Sequence, residues 1–144
     1  MVVNSFLYWN TLTDLELFRY IGTTEILVED PRFPGADVVV VGSVPDLTIK
    51  NHRVCGLTYF RAISNCAVNT HVILSLACIE GQSSAVQRTL ARHEAGHVLG
   101  LGDQPQPGSV MYGTLDQEAI GDTAAQAYVL ERDLLRQYYR DIAP

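Results

Sequence analysis

Two histidines and a glutamate in the stretch RHEAGHVLGLGDQ could bind a metal ion and activate a water molecule. His93 and His97 are four residues apart, so on an α-helix they lie one turn apart on the same face. Their imidazole nitrogens can then both reach one tetrahedral metal ion, at about 2.0–2.1 Å each. Glu94 lies beside them and is too constrained by the helix to be a ligand as well. It is placed instead to take a proton from a water molecule on the metal.

A third ligand has to come from outside the helix, because two histidines alone do not close a tight zinc site. Gly100 can adopt the left-handed conformation that ends a helix, after which Asp103 can return beneath the metal. The competing interpretation is an ordinary helix with two surface or core histidines. The capped helix, the glycine and the carboxylate together favour one Zn²⁺ ion held by His93, His97 and Asp103.

The helix that must carry this motif is predicted over residues 84–100. Ser84 is a candidate N-cap, and Gln87 three residues later completes a capping box. Val86 and Leu90 precede the two histidines on one face, at steps of four, three and four. The helix therefore presents its histidines on the same side as its apolar residues.

The other elements predict an α+β domain with one main sheet. A first helix is predicted at NSFLYWNTL, from the helical spacing of the apolar residues Phe6, Leu7, Trp9 and Leu12. Strands are predicted at LELFRY, EILVED, ADVVVVGS, CGLTYFR and HVILSLACI. ADVVVVGS is apolar on both faces, which is typical of a central strand covered on both sides. A last helix within residues 123–142 is expected to turn inward Leu130, Leu134, Leu135, Tyr138 and Ile142.

Composition limits the possible partners. The 144 residues, 47% of them hydrophobic, fit a single domain spanning 1–144 with a sizeable core. A net charge of −6 argues against nucleic acid, and no apolar run is long enough for a membrane span. The opening MVVNSFLYWN does not read as a signal peptide, so the chain is either cytosolic or a piece of a longer secreted precursor. Cys55 and Cys66 either form a disulfide or stay reduced, with Cys78 as the remaining thiol.

The segment HEAGHVLGLGD resembles the metzincin signature H-E-x-x-H-x-x-G-x-x-H, with Asp103 in place of the third histidine. Bacterial neutral proteases of the snapalysin type look similar in having aspartate there. Downstream, PGSVMYG resembles the Met-turn of matrixins, which implies that Met111 forms a hydrophobic floor under the metal without binding it. The resemblance is specific from His93 to Tyr112 and only suggestive elsewhere. It implies a metzincin-like α+β (α/β) fold: one mixed, mostly parallel twisted sheet with an antiparallel edge strand, an active-site helix and a C-terminal helix.

This resemblance implies a secreted zinc metalloendopeptidase with one catalytic ion. Glu94 is then the general base that activates the water for attack on a peptide bond. A peptide or protein substrate is expected to add as a strand to the edge strand at residues 56–61 and to meet the loop 104–114. The expected substrate-binding residues are Gly56, Leu57, Thr58, Tyr59 and Tyr112.

Several departures from the family pattern bear on this interpretation. Asp103 lowers the net charge of the site and is expected to weaken the Lewis acidity of the zinc. Gly113 stands where some metzincins carry a zinc-bound tyrosine. His71 lacks an H-x-D partner, so it is interpreted as a core or surface histidine rather than a second zinc ligand, and His52 as a loop residue. The alternatives are a non-catalytic zinc-binding domain, against which Glu94 argues, and an inactive truncated fragment.

The N-terminus differs from the family as well. Metzincins begin with a strand inside the sheet, whereas this sequence opens within the first helix. The missing pairing is expected from residues 25–29, or from LELFRY pairing directly with ADVVVV. Either way, residues 38–41 should have a hydrogen-bonded neighbour on both sides, and an open edge would indicate a fragment.

Overall fold

The structure, a computed structural model, describes residues 1–23, 38–64, 67–107, 109–113 and 124–140. The described elements are α1 (Val2–Thr13), β1 (Val38–Val44), β2 (Thr48–Ile49), β3 (His52–Arg53), β4 (Gly56–Ser64), β5 (Ala67–Ser75), α2 (Leu76–Ile79), α3 (Ser84–Val98) and α4 (Ala124–Arg140). The fold class is therefore α+β, as expected. None of the described helices is long and apolar enough to cross a membrane.

The chain divides into two compact units. One contains Met1–Tyr20 and Gln82–Pro144, and the other is Ile21–Gly81. The first unit holds α1, α3 and α4, whereas the second holds the strands and α2. The expectation of a single domain over the whole chain stays a prediction.

The main sheet of the second unit has three strands in the order β1-β5-β4. Val72 of β5 lies opposite Val41 of the parallel strand β1 and opposite Thr58 of the antiparallel strand β4. A mixed sheet with an antiparallel strand is thus confirmed. The described strands make one parallel and one antiparallel pairing, so a mostly parallel sheet stays a prediction.

The central strand among the described residues is β5, with β1 on one side of it; whether β1 has a second neighbour, as expected for ADVVVVGS, stays a prediction because residues 24–37 lie outside the described residues. Thr70, Val72 and Leu74 of β5 are all less than about a tenth exposed, at 5%, 1% and 4%. By contrast, Gly42 and Ser43 of β1 are exposed. The prediction of a strand at HVILSLACI was too long, because the chain turns into α2 at Leu76.

The segment LELFRY is not a strand, although its alternation predicted one. Asn10 of α1 satisfies its backbone instead: the side-chain Oδ1 accepts hydrogen bonds from the amides of Leu17 (3.0 Å) and Phe18 (2.9 Å), and Nδ2 donates to the Phe18 carbonyl (2.6 Å). The Phe18 ring packs edge-on against Phe6, with centroids 5.1 Å apart. LELFRY therefore does not pair with β1. Residues 25–29 lie outside the described residues, so their pairing stays a prediction.

The disulfide joins Cys55 to Cys78, which corrects the open choice between a Cys55–Cys66 bond and none. The amide of Ser75 donates to the carbonyl of Cys55 at 2.8 Å, which brings the start of β4 beside α2. This contact arises from the antiparallel register of β4 and β5, which spacing between cysteines does not reveal. Cys66 lies outside the described residues.

The helix α3 is capped by Ser83, one residue before the predicted Ser84. The Ser83 hydroxyl accepts a hydrogen bond from the amide of Val86 at 3.3 Å. At the other end, Gly100 has the predicted left-handed conformation, with φ +88°. Its amide donates to the His97 carbonyl, and the next amide, of Leu101, reaches back into the helix; both bonds are 3.0 Å long.

The helix α4 turns a different face inward from the one predicted. Leu135 is buried as expected, but Leu134 and Tyr138 are 57% and 63% exposed. The buried residue one turn before Leu135 is Glu131, at 4% exposure. Apolar residues occur on more than one side of this helix. Glu131 lies on the inward side, where its carboxylate accepts the Ser109 hydroxyl. The side chain of Leu130 and the whole of Ile142 lie outside the described parts of the chain.

Candidate metal centre

Three side chains of the first unit converge at the end of α3. The Nε2 atoms of His93 and His97 are 3.0 Å apart, and Oδ1 of Asp103 lies 3.4 Å and 3.5 Å from them respectively. Ligand atoms of a tetrahedral zinc site with bonds of 2.0–2.1 Å lie about 3.3–3.4 Å from one another. The predicted ligand set is therefore brought together at a spacing that could hold a metal ion.

Both imidazole rings are oriented by backbone carbonyls. Nδ1 of His93 lies 2.9 Å from the Val110 carbonyl oxygen, and Nδ1 of His97 lies 2.8 Å from that of Leu101. A carbonyl oxygen only accepts, so each Nδ1 must carry the hydrogen and each neutral ring has its lone pair on Nε2. Two lone pairs and a carboxylate oxygen thus face one another. A cation relieves that repulsion, and carbonyl partners of this kind are typical behind metal-binding histidines.

The loop after α3 brings Asp103 to the histidines. The amide of Gln104 donates to the Met111 carbonyl at 2.7 Å, and Gln104 forms an isolated parallel bridge with Tyr112. Gly113 lies against the ligand, because a Cβ there would be 3.3 Å from Cγ of Asp103. Any side chain at Gly113 would therefore press on the carboxylate.

The cluster is open on one side. The Asp103 side chain is 65% exposed, whereas those of His93 and His97 are 15% and 26% exposed. A site with three protein ligands and one open side leaves room for a water molecule or a substrate atom.

Met111 packs against the helix that carries the histidines. It is fully buried, and a Cβ added at Gly96 would overlap its sulfur and come within 3.1 Å of Cζ2 of Trp9. Trp9 is held in turn by a 3.0 Å hydrogen bond from its indole nitrogen to the Arg92 carbonyl. The absence of a side chain at Gly96, between the two histidines, is what lets the methionine approach α3.

Glu94 follows the first histidine on α3 and is 3% exposed, with Ala91 and Ala95 fully buried near it in the sequence. The H-E-x-x-H mechanism needs a carboxyl group at this position. Its role as general base stays a prediction.

The proposed substrate-binding residues are divided between the two units. Gly56, Leu57, Thr58 and Tyr59 begin β4, whose only neighbour among the described strands is β5. Tyr112 is half-buried in the other unit, where it forms the isolated bridge with Gln104. Substrate contact at these residues stays a prediction.

Within the described part of the chain, the group of three side chains that could hold a metal ion consists of His93, His97 and Asp103. His71 and His52 do not belong to it. His71 lies opposite Tyr59 across β4 and β5, and the two rings stack with centroids 5.0 Å apart. His52 is exposed in the short strand β3 rather than in a loop.

Sequence reasoning missed Ser109 and Glu131. The Ser109 hydroxyl donates to Oε1 of Glu131 and accepts the Met111 amide at 2.9 Å. Burial raises the pKa of the Glu131 carboxyl, and the hydrogen bond from Ser109 partly offsets this effect. The signal that could have identified Ser109 and Glu131 is a glutamate one turn before Leu135, on the buried side of α4. Hydropathy alone, however, predicts that an acidic residue faces the solvent.

Comparisons with protein-family models, with curated proteins and with solved structures find no match to this chain. The resemblance to metzincins therefore rests on the residues of the motif itself.

Proposed function

We propose that this chain is a zinc-dependent endopeptidase of the metzincin type. The observation that carries the proposal is the convergence of His93, His97 and Asp103, with both imidazole rings held in the tautomer that a metal ion requires. Two neutral imidazoles and one carboxylate are a ligand set that zinc enzymes use for hydrolysis. The buried Glu94 then stands next to a ligand, as the H-E-x-x-H mechanism needs.

In the proposed hydrolysis, residues of this chain have separate roles. Zn²⁺, when bound, lowers the pKa of a water molecule and polarises the carbonyl of the scissile bond. Glu94 accepts a proton from the attacking water and delivers it to the leaving amine. Val110 and Leu101 keep the two rings oriented through their carbonyls, so little reorientation is needed when the ion binds.

An extended peptide is the substrate that we infer for this site. Among the described strands, β4 has β5 on one side only, so its other edge offers backbone groups to which a peptide can add. Gly56, Leu57, Thr58 and Tyr59 would provide that edge. The Cys55–Cys78 disulfide supports secretion, because such bonds persist mainly in oxidising compartments.

The second candidate is a zinc-binding domain without turnover. It needs only the cluster of His93, His97 and Asp103, which could hold a metal ion. The open side of the cluster at Asp103 speaks against it, since purely structural zinc sites close with a fourth protein ligand.

Replacement of Glu94 by glutamine tests the hydrolytic role. Glu94→Gln keeps the size of the side chain but removes its basicity, so we expect hydrolysis of a mixed peptide library to fall at least about a hundredfold. Metal analysis of the same sample should still give one zinc per chain. Both quantities are to be measured before and after treatment with a chelator.

Glu80→Gln is the matched control, because Glu80 is an exposed glutamate at the end of α2. It should leave both zinc content and hydrolysis unchanged. If Glu94→Gln keeps most of the wild-type activity, the assignment to this helix is wrong. A wild type that holds zinc and cleaves no peptide would favour the domain without turnover.

A further inference from the structure

A buried acidic residue on the last helix has no part in the mechanism described above. Glu131 is 4% exposed, and its Oε2 atom has no hydrogen-bond partner among the described residues. Burial of a carboxyl oxygen without a hydrogen-bond partner is unfavourable. The other carboxyl oxygen, Oε1, does have a partner.

That contact leads to the turn beside the metal centre. Oε1 of Glu131 accepts the Ser109 hydroxyl, and the oxygen of that hydroxyl accepts the amide of Met111 at 2.9 Å. The turn is closed by the amide of Tyr112, which donates to the Ser109 carbonyl at 3.1 Å. Val110 lies between the two anchored residues, and it is its carbonyl that is 2.9 Å from Nδ1 of His93.

We propose that Glu131 is a positioning residue for the metal ligand His93: it fixes Ser109, which fixes the turn that presents the Val110 carbonyl to Nδ1 of the imidazole. The inference rests on the metal-binding part of the proposed function but not on peptide hydrolysis. Loss of a group that orients a metal-binding histidine typically lowers metal affinity by 10- to 100-fold, so about that effect is expected here.

The second histidine provides an internal control. Nδ1 of His97 is held by the Leu101 carbonyl at 2.8 Å, in the segment that ends α3. Leu101 is fixed by its own amide, which donates to the Gly96 carbonyl at 3.0 Å. None of these bonds involves Glu131 or Ser109; the contact of α4 with this segment is made by Tyr139, whose hydroxyl donates to the Leu99 carbonyl at 3.3 Å. A change at Glu131 should therefore disturb one imidazole and leave the other as it was.

The experiment uses the full chain loaded with Zn²⁺ and labelled with ¹⁵N in its histidines. Glu131→Ala and Ser109→Ala should shift or broaden the Nδ1–H resonance of His93 and leave that of His97 in place. Both variants should bind zinc about 10- to 100-fold more weakly in a chelator competition. Glu131→Gln should restore both properties, because its amide oxygen also accepts the Ser109 hydroxyl.

Asp133→Asn is the matched control, since Asp133 is an exposed acidic residue on the same helix. It should resemble the wild type in both measurements. If Glu131→Ala fails to fold, Ser109→Ala carries the test, because it removes only one hydroxyl group.

Three results would overturn the inference. In the first, the alanine variants keep the wild-type His93 resonance and zinc affinity. In the second, the resonances of His93 and His97 change together. In the third, Glu131→Gln fails to restore the His93 resonance and the zinc affinity. A wild type that binds zinc and cleaves no peptide would refute the endopeptidase and leave this inference standing. A wild type that binds no zinc would refute both.

Discussion

At the scale of single residues, the metal centre depends on which nitrogen of each imidazole carries the hydrogen. The carbonyls of Val110 and Leu101 hold that hydrogen on Nδ1 of His93 and His97, so both Nε2 lone pairs face Asp103. Rings with the opposite tautomer would present hydrogens to the same point and could not bind a cation. The backbone thus holds both rings in the orientation that a bound cation would need.

Replacement of Asp103 tests the third ligand. In Asp103→Ala, two histidines remain, and zinc affinity should fall at least about tenfold because the site loses a charged protein ligand. Asp103→His should retain zinc, because it offers another nitrogen ligand at the same position. The measurement is a competition with a chelator whose zinc affinity is known.

Asp46→Ala is the control for removal of an acidic residue, since Asp46 pairs with Arg53 at the surface of the other unit. Its zinc affinity should equal that of the wild type. Unchanged affinity in Asp103→Ala would mean that another residue completes the site.

The candidate ligands could be predicted from the sequence, whereas the residues that support them could not. His93, His97 and Asp103 follow from helical periodicity and one glycine, which are local properties of the chain. The roles of Ser109 and Glu131 depend on the contact between α4 and the turn before Met111. The hydrogen bond between these two residues spans 22 residues of sequence. Contacts of that range are set by packing and leave no periodic signal.

At the scale of elements, the helices α1 and α3 could be predicted because each has a clear apolar face and an end signal. Asp14 adopts the left-handed conformation at the end of α1, as Gly100 does after α3. The strand at LELFRY was wrong because period-2 alternation describes any extended segment with one covered side. There the side chain of Asn10 takes the place of a neighbouring strand.

The contact between α3 and the turn that contains Met111 can be tested at Gly96. Alanine in the interior of a helix usually stabilises a protein relative to glycine, by about 0.5–1 kcal/mol. Here the added methyl group would overlap the Met111 sulfur, so Gly96→Ala should instead lower the free energy of unfolding by about 1–3 kcal/mol. We therefore expect this glycine-to-alanine replacement to lower the free energy of unfolding, where such replacements in helices usually raise it. Denaturant titration measures the difference.

Gly42→Ala provides the comparison, because nothing lies within 4 Å of a Cβ built at Gly42. Its free energy of unfolding should change little. A stabilised Gly96→Ala variant would contradict the close packing of the methionine against the helix.

At the scale of the whole molecule, the disulfide is the covalent link that the spacing of the cysteines could not identify. Cys55 and Cys78 are 23 residues apart in the sequence, with Cα atoms at 5.2 Å. Closure of a loop of about that length stabilises a folded chain by roughly 3 kcal/mol through the entropy of the unfolded state. The bond is confined to the unit that contains the sheet.

Cys78→Ser should therefore lower the free energy of unfolding by about 2–4 kcal/mol relative to the oxidised wild type. Cys66→Ser is the matched variant and should keep the cross-link between Cys55 and Cys78. Peptide mapping without reductant identifies the bond directly. A wild-type peptide that joins Cys55 to Cys66 would show that this pairing is wrong.

The division of the chain has a consequence for the order of folding. The unit Ile21–Gly81 is continuous in sequence, whereas the other unit is assembled from Met1–Tyr20 and Gln82–Pro144. The hydrogen bond from Trp9 to Arg92 spans 83 residues, so α1 must wait until α3 has been synthesised before it can dock. Contacts at such separation form late, because a long loop must close first. We therefore expect the sheet to form first during synthesis and the candidate metal centre to be completed only after α3 has been synthesised.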